Sequence, residues 1–371
     1  MSRRLVYRKR YERPAHSSRI NVLAFNPQGT FLAIGGADGY VSVLSVDSGD
    51  LLCHINARSP ISSLIWSSTD DGLLFGCRNG LLVSARFDET SVRATFLYAH
   101  RDPLECLTSQ PKDGNIVSGA CGEVIVWKRG RNWTQEESWE TLQTVPHPPM
   151  FTNQPPIVTS LNWNSDGELL VSYKWHGLIC WQLSSATIIW RISMDQCETL
   201  SLSSNRSLAA AYSPHRGFEV YDLTHRRFKR AMHWAELDRS RTEKLPVVFA
   251  HGDFAVVGGS FSGRVSVWDV EQGDILFSLD HGADCPVGAI ATFFQSVNDR
   301  FMVLTGTDDG RVFLWDTVPD ESAQRRDDTN QIPVRAQGVI WDYLYGFRDC
   351  LMFLFLSYTL LISVREYVNW T

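Results

Sequence analysis

The chain has 371 residues, long enough for one large or two ordinary domains, and its 44% apolar content allows a substantial core. A formal net charge of −6 argues against nucleic acid as the main partner. The eight cysteines form no CxxC pair, which argues against a zinc site and favours reduced thiols.

The first predicted element is the alternating N-terminal segment LVYRKRYER, which places Tyr7, Lys9 and Tyr11 on one face of a strand. The last repeated unit of the chain ends at RVFLWDT, and the polar stretch that follows predicts no strand. We therefore expect the N-terminal strand to pair with that last unit. Its basic residues are predicted to lie on a solvated outer strand, the alternative being a nuclear-import or nucleic-acid patch.

A short motif recurs seven times: a turn, a glycine, and then alternating apolar residues. The glycines are Gly39, Gly80, Gly122, Gly177, Gly217, Gly263 and Gly310, with spacings of 41, 42, 55, 40, 46 and 47 residues. Strand-like runs precede and follow each motif, and a period slightly above 40 is typical of a four-stranded propeller blade. One such sheet cannot bury both faces, whereas seven arranged radially can. The sequence therefore predicts an all-β fold over residues 5–319, a seven-bladed β-propeller of four-stranded antiparallel blades closed by the N-terminal strand.

These units resemble the WD-repeat β-propeller family. Two match its signature dipeptide, at Trp268-Asp269 and Trp315-Asp316, and degenerate versions stand at Trp127-Lys128, Trp181-Gln182 and Tyr221-Asp222. The family's Gly-His pair is missing, although His100, His147 and His281 stand at comparable places without the glycine, so the resemblance does not carry over the hydrogen-bonded tetrad that often braces such blades. The resemblance implies a scaffold that binds other proteins or peptides. A narrower resemblance is to uncharacterised WD-repeat proteins of mushroom-forming fungi.

Candidate partner-binding residues come from loops that such propellers place on one face. Phe151 lies in the long connection 128–157, and capping of the neighbouring blade is its alternative role. The turn YKWHG presents Trp175 and His176, and the turn SFSG presents Phe261. Large rings in such turns are hard to bury, so we expect a peptide-docking patch there. The segment SWETLQTV, by contrast, predicts a fourth strand.

No catalytic motif is present: the sequence contains no GxGxxG, GxxxxGK[ST], HExxH or GxSxG. We therefore predict a non-catalytic, monomeric scaffold with no catalytic, cofactor or metal residues. Two alternatives stay open. One is a phosphoinositide-binding propeller, suggested by Arg226-Arg227 in HRRFKR, for which a charged outer strand is the simpler interpretation. The other is an enzyme with its site in the central channel, which converging His, Asp, Glu or Arg side chains would favour.

The C-terminal region changes character after the propeller. Residues 320–337 read as a polar linker and 338–371 as an apolar tail, within which 350–364 contains only Ser357 and Thr359 as polar residues. As a helix these fifteen residues would span about 22 Å, short of the roughly 30 Å of a bilayer core. The alternatives are a membrane-inserted or membrane-associated tail, a helix docked on the propeller, or a gene end of untypical origin. Basic residues precede the segment, so an anchored propeller would face the cytosol. We expect a cytoplasmic protein, with nuclear residence left open.

Overall fold

Seven four-stranded sheets make up the fold in the computed structural model, which describes residues 5–67, 72–87, 92–110, 114–131, 137–149, 152–234, 242–295 and 300–319. The first strands of successive sheets contact one another around the whole circle, and the first sheet meets the seventh. The sheets are therefore the blades of a closed seven-bladed propeller, as the sequence predicts. Tyr7–Thr317 forms one compact unit, and the described residues 5–6 and 318–319 fall outside it.

Blades 1 to 6 each use four consecutive strands, ordered from the channel outward. Blade 1 contains β2 (Ile20–Phe25), β3 (Phe31–Gly36), β4 (Tyr40–Ser45) and β5 (Leu51–Asn56). Blade 2 contains β6 (Ile61–Trp66), β7 (Gly72–Cys77), β8 (Leu81–Phe87) and β9 (Val92–Tyr98). Blade 3 contains β10 (Leu104–Ser109), β11 (Ile116–Ala120), β12 (Glu123–Arg131) and β13 (Glu137–Val145).

The second half of the ring repeats this order. Blade 4 contains β14 (Val158–Trp163), β15 (Leu169–Tyr173), β16 (Gly177–Gln182) and β17 (Thr187–Ile192). Blade 5 contains β18 (Thr199–Leu202), β19 (Leu208–Ser213), β20 (Gly217–Asp222) and β21 (Arg227–Ala231). Blade 6 contains β22 (Val247–Ala250), β23 (Ala255–Gly258), β24 (Arg264–Asp269) and β25 (Ile275–Asp280). The segment SWETLQTV lies in β13, so its predicted strand is confirmed.

Blade 7 is completed by the N-terminus. Its own strands are β26 (Val287–Gln295), β27 (Arg300–Thr307) and β28 (Arg311–Pro319), and β1 (Leu5–Pro14) lies outside β28 as the fourth. Tyr7 also ties β1 to blade 6, because its hydroxyl is hydrogen-bonded to His251 Nε2 at 2.6 Å and its ring meets Phe277 edge-on at 5.3 Å. The predicted closure by the N-terminal strand is confirmed.

The core lies between the blades. The described residues form seven clusters of buried apolar side chains, and each cluster draws on two neighbouring blades. Leu64 and Phe75 of blade 2, for example, pack with Ala33 and Val43 of blade 1. No blade has a core of its own, which is the physical reason for repeating the unit around a ring.

The turn glycines act as the motif predicts, with one exception. Gly310 has φ 84°, and a Cβ on it would lie 2.1 Å from the carbonyl oxygen of His16, so only glycine fits. In blade 3 only two residues separate β11 from β12, and Cys121 takes the left-handed conformation (φ 35°) in place of Gly122.

Two buried hydrogen-bond chains brace blades 3 and 7. Trp127 Nε1 donates to Ser118 Oγ at 2.7 Å, and that hydroxyl lies 2.7 Å from His100 Nε2. In blade 7, Trp315 Nε1 donates to Thr305 Oγ1 at 3.2 Å, and Thr305 lies 2.7 Å from His281 Nε2. Both chains form although the Gly-His pair is absent.

The predicted linker 320–337 and tail 338–371 lie outside the described residues. Within the part of the chain that the structure describes, no helix has the length and apolar character needed to cross a membrane.

Candidate functional site

The inner strands bend at one mouth of the central channel. In five of the described ladders, the first strand of the blade carries a β-bulge near its start. The unpaired residues at these bulges are Asn21, Ser62, Glu105, Thr159 and Gly288. A bulge redirects a side chain while the flanking strand stays fixed, so these positions are held rigidly at the mouth.

Two adjoining cavities open at this mouth, with volumes of about 370 and 450 Å³. Arg78, Glu105 and Lys244 line both of them. A narrower space of about 260 Å³ continues between the inner strands. The two larger volumes fall in the range of ordinary ligand pockets. We call the residues that line these two cavities the channel mouth.

Lys244 crosses this mouth. It lies at the end of the long connection from blade 5 to blade 6, and its Nζ is 3.1 Å from Glu105 Oε2 of blade 3. Blades 3 and 6 are not neighbours, so the ion pair joins opposite sides of the channel. Both side chains remain partly exposed to solvent.

Other charged groups of the mouth pair locally. Arg19 Nε lies 3.2 Å from Asp308 Oδ1, and Lys174 Nζ lies 2.7 Å from Glu198 Oε1. Burial raises the pKa of the Asp308 carboxyl above its usual range. Arg78, in the turn between β7 and β8, is exposed, and no described residue forms an ion pair or side-chain hydrogen bond with its guanidinium. The mouth thus offers both signs of charge, with one cation unpaired among the described residues.

The predicted partner-binding residues have different surroundings. Trp175 is partly buried, and Lys174 Nζ lies 5.5 Å from its ring centroid. His176 is only 1% exposed, and burial followed by the nearby Arg191 lowers its pKa. Phe261 lines a further cavity beside the mouth, of about 230 Å³, and packs against the core between blades 5 and 6.

Phe151 lies outside the described residues. Trp175 and Phe261 stand in equivalent turns of blades 4 and 6, on either side of blade 5. Partner binding by these residues stays a prediction.

The sequence reasoning missed Arg78, Glu105 and Lys244. One signal was available: at the second position of the inner strand, four other blades have Asn, Ser, Thr or Gly, and blade 3 has the charged Glu105. A charge at an inner strand needs a partner or solvent. The partner could not be inferred, because it is 139 residues away in the chain.

The two mouth cavities are lined by charged and polar side chains together with a few apolar ones. No histidine lines either mouth cavity. Among the described residues, no group of three or more His, Cys, Asp or Glu side chains is arranged to hold a metal ion. Thr159 Oγ1 lies 3.0 Å from Ser172 Oγ and donates to the Ser172 carbonyl oxygen at 3.3 Å. Charged groups do converge here; several form the ion pairs described above, while Arg78 has no ion-pair partner among the described residues.

The basic segment HRRFKR makes contacts with both neighbouring blades. The Arg226 guanidinium lies 5.7 Å from the Trp190 ring centroid of blade 4. Lys229 Nζ lies 2.6 Å from Glu271 Oε1, and Arg230 Nη1 donates to the Gln272 carbonyl oxygen at 3.2 Å, both in blade 6. These contacts fit the interpretation as a charged outer strand.

Two family models match parts of the chain. Residues 1–69 match the anaphase-promoting complex subunit 4 WD40 domain, and residues 273–316 match the WD domain, G-beta repeat. The first match covers β1 and blade 1, and the second covers the outer strand of blade 6 and most of blade 7. A search of curated proteins found no match. The resemblance to fungal proteins stays a prediction. With seven four-stranded blades closed by the N-terminal strand, these matches identify the chain as a WD-repeat seven-bladed β-propeller.

Proposed function

We propose that this propeller is a non-catalytic scaffold that docks protein partners at its channel mouth. A role in protein interaction follows in general terms from the WD-repeat propeller fold. The observation that supports this particular surface is the pair of adjoining cavities lined by Arg78, Glu105 and Lys244. Part of their lining, Glu105 included, lies at the bulges of the inner strands, so little backbone entropy is lost at these positions when a partner binds.

The chemistry of the mouth favours a peptide that carries charged side chains. The exposed guanidinium of Arg78 suits a carboxylate, which it can bind through two parallel hydrogen bonds. The pair between Lys244 and Glu105 is partly exposed, and such pairs exchange partners at little cost. A docking peptide therefore competes with ion pairs that are individually weak.

Proximity labelling from the full chain tests this proposal. Arg78→Glu reverses the unpaired charge at the mouth, and Arg227→Glu makes the same change on the exposed outer strand of blade 5. We expect R78E to remove a set of labelled proteins that R227E retains, while both variants unfold at the same urea concentration as the wild type. Identical labelled sets for the two variants would contradict docking at the mouth.

We further propose a membrane-tethered form of the scaffold with its propeller in the cytosol. Its support is the apolar sequence of residues 350–364. Several basic residues precede this segment, and a single basic residue, Arg365, follows it. Residues 338–371 fused to a fluorescent protein should then concentrate at membranes. A diffuse cytosolic signal would exclude the tether.

The phosphoinositide alternative predicts a different result. Flotation of the protein with phosphoinositide-containing liposomes would then require the pair Arg226-Arg227. If Arg226→Ala with Arg227→Ala leaves flotation unchanged, that segment is not a lipid site.

A further inference from the structure

The outermost strands of the blades are not equally protected against pairing with other chains. Each exposes one row of backbone N–H and C=O groups, which another strand can use. β1 and β21 carry charged side chains along this edge, which discourages pairing. β9, with the sequence VRATFLY, has one charged residue, Arg93.

β9 also shows the largest apolar exposure among these strands. Tyr98 is 64% and Phe96 59% exposed, and Val92 is exposed on the same face of the strand. On the adjoining blade 1, Leu51 and Leu52 of β5 are exposed as well. Exposed apolar clusters of this kind on a soluble protein mark interaction surfaces.

The backbone of β9 is regular, unlike that of other outer strands. In blades 1, 3, 4, 5 and 6 a bulge interrupts the ladder between the third and the outer strand. β9 pairs with β8 through seven consecutive residues, from Leu81↔Tyr98 to Phe87↔Val92, without a shift. Bulges turn an edge away from incoming strands, so β9 keeps a straight edge that the outer strands of blades 1, 3, 4, 5 and 6 lack.

The register of the free edge follows from one hydrogen bond. Ala99 N–H donates to the Gly80 carbonyl oxygen at 3.1 Å. Because bonded and non-bonded pairs alternate along an antiparallel ladder, residues 93, 95 and 97 bond to β8. Val92, Ala94, Phe96 and Tyr98 therefore direct their backbone groups outward.

We propose that the β9 edge binds the β9 edge of a second copy of this chain. A two-fold axis at Thr95 pairs the whole strand with itself, so that Val92 faces the second copy's Tyr98 and Ala94 faces its Phe96. All of these residues have outward backbone groups, so every bond of the new ladder can form. Tyr98 opposite Val92 is a favourable pair of an aromatic and a β-branched residue, and Arg93 faces Leu97 rather than another charge. The product is an eight-stranded sheet shared by two propellers.

The edge argues against the monomer that the sequence predicts. It depends on neither the channel mouth nor the proposed partners there, since β9 lies at the outer rim of blade 2.

Sedimentation of the full chain over a range of concentrations tests the pairing. Phe96→Lys places a charge at the centre of the edge, and Phe228→Lys makes the same change at a residue that is 48% exposed on β21. We expect a wild-type dimer that F96K weakens at least about tenfold and F228K leaves intact. A monomer at all concentrations, or equal association of both variants, overturns the proposal.

Cross-linking checks the register independently of stability. On the two-fold axis the two Thr95 residues form a non-bonded pair with Cα atoms about 4.5 Å apart, which a disulfide can span. With the thiol oxidant diamide, Thr95→Cys should give a cross-linked dimer beyond the wild-type background. In the Arg93→Cys variant the two cysteines lie four residues apart along the paired strands, so this variant should not form the cross-link. Equal cross-linking of both variants overturns the two-fold pairing.

Discussion

Blades 3 and 6 use the tryptophan of their third strand in different ways. Blade 6 has the signature dipeptide Trp268-Asp269, yet Trp268 Nε1 donates to the backbone carbonyl oxygen of His233 at 2.9 Å. Blade 3 has lost the aspartate, yet Trp127 forms the chain through Ser118 to His100. The dipeptide therefore does not indicate which blades contain the buried hydrogen-bond chain.

The difference lies in the second strand of each blade. Two residues beyond the partner of the tryptophan, blade 3 has Ser118 and blade 6 has Gly258. A Cβ at Gly258 would lie 2.6 Å from the Phe218 ring and 2.7 Å from the Trp268 ring. In blade 6, aromatic rings therefore occupy the space that the Ser118 hydroxyl occupies in blade 3.

The largest expected effect tests the aromatic packing of blade 6. Trp268 is 0% exposed and lies 4.9 Å from the Phe218 centroid, so Trp268→Ala should lower the free energy of unfolding by about 3–5 kcal/mol. Urea unfolding measures it. Trp175→Ala, at a partly buried ring, is the control and should lose much less. Equal losses would mean that Trp175 belongs to the core.

Gly258→Ser tests whether blade 6 tolerates a serine at the position equivalent to Ser118 of blade 3. Because the added atoms clash with two buried rings, we expect a loss of about 1–3 kcal/mol in the free energy of unfolding. Gly130→Ser is the control, since among the described residues its Cβ would approach Ser138 Oγ alone, at 3.2 Å. A stabilised G258S variant would show that the two arrangements are interchangeable.

Ser118→Ala removes the hydroxyl that connects Trp127 and His100. Two buried groups then lose a hydrogen-bond partner, so the free energy of unfolding should fall by about 1–3 kcal/mol. Trp127→Phe combined with S118A should be less damaging than the sum of the single changes, because both remove the same bond. Additive losses in this double-mutant cycle would contradict a coupled chain.

The histidines of the two buried hydrogen-bond chains make the free energy of unfolding depend on pH, which is a smaller effect. Burial lowers the pKa of His100 and of His281 below the ordinary 6.5. The unfolded chain therefore binds protons first, and stability is lost as the pH falls from about 6.5 toward the lower folded-state pKa values. His251 acts in the same direction, since burial lowers its pKa to about 4.

Urea unfolding at pH 7.5, 6 and 5 measures this dependence. His281→Gln has no titrating ring, so its stability should fall less between pH 7.5 and 5 than that of the wild type. The same slope in both proteins would show that His281 contributes nothing to the dependence.

The sequence predicts the closed ring of blades, but it does not predict the side chains that meet at the channel mouth. Blade number follows from the spacing of glycines such as Gly263 and Gly310, and closure follows from the missing fourth strand after RVFLWDT, because both are local patterns. The bulge at Glu105 depends on how two strands slip past each other, which side-chain alternation does not encode. His100 and Ser118 meet through loop geometry, so the absent Gly-His pair gave no guidance.

The smallest expected effect concerns the ion pair across the mouth. Lys244→Met keeps the apolar stem of the side chain and removes the charge facing Glu105. Because both groups are partly exposed, the free energy of unfolding should change by no more than about 1 kcal/mol, and less at high salt. A larger loss would mean that the pair holds the ring together. A small loss of stability, together with altered proximity labelling, would assign this ion pair to docking. The buried hydrogen-bond chains of blades 3 and 7, by contrast, stabilise the fold.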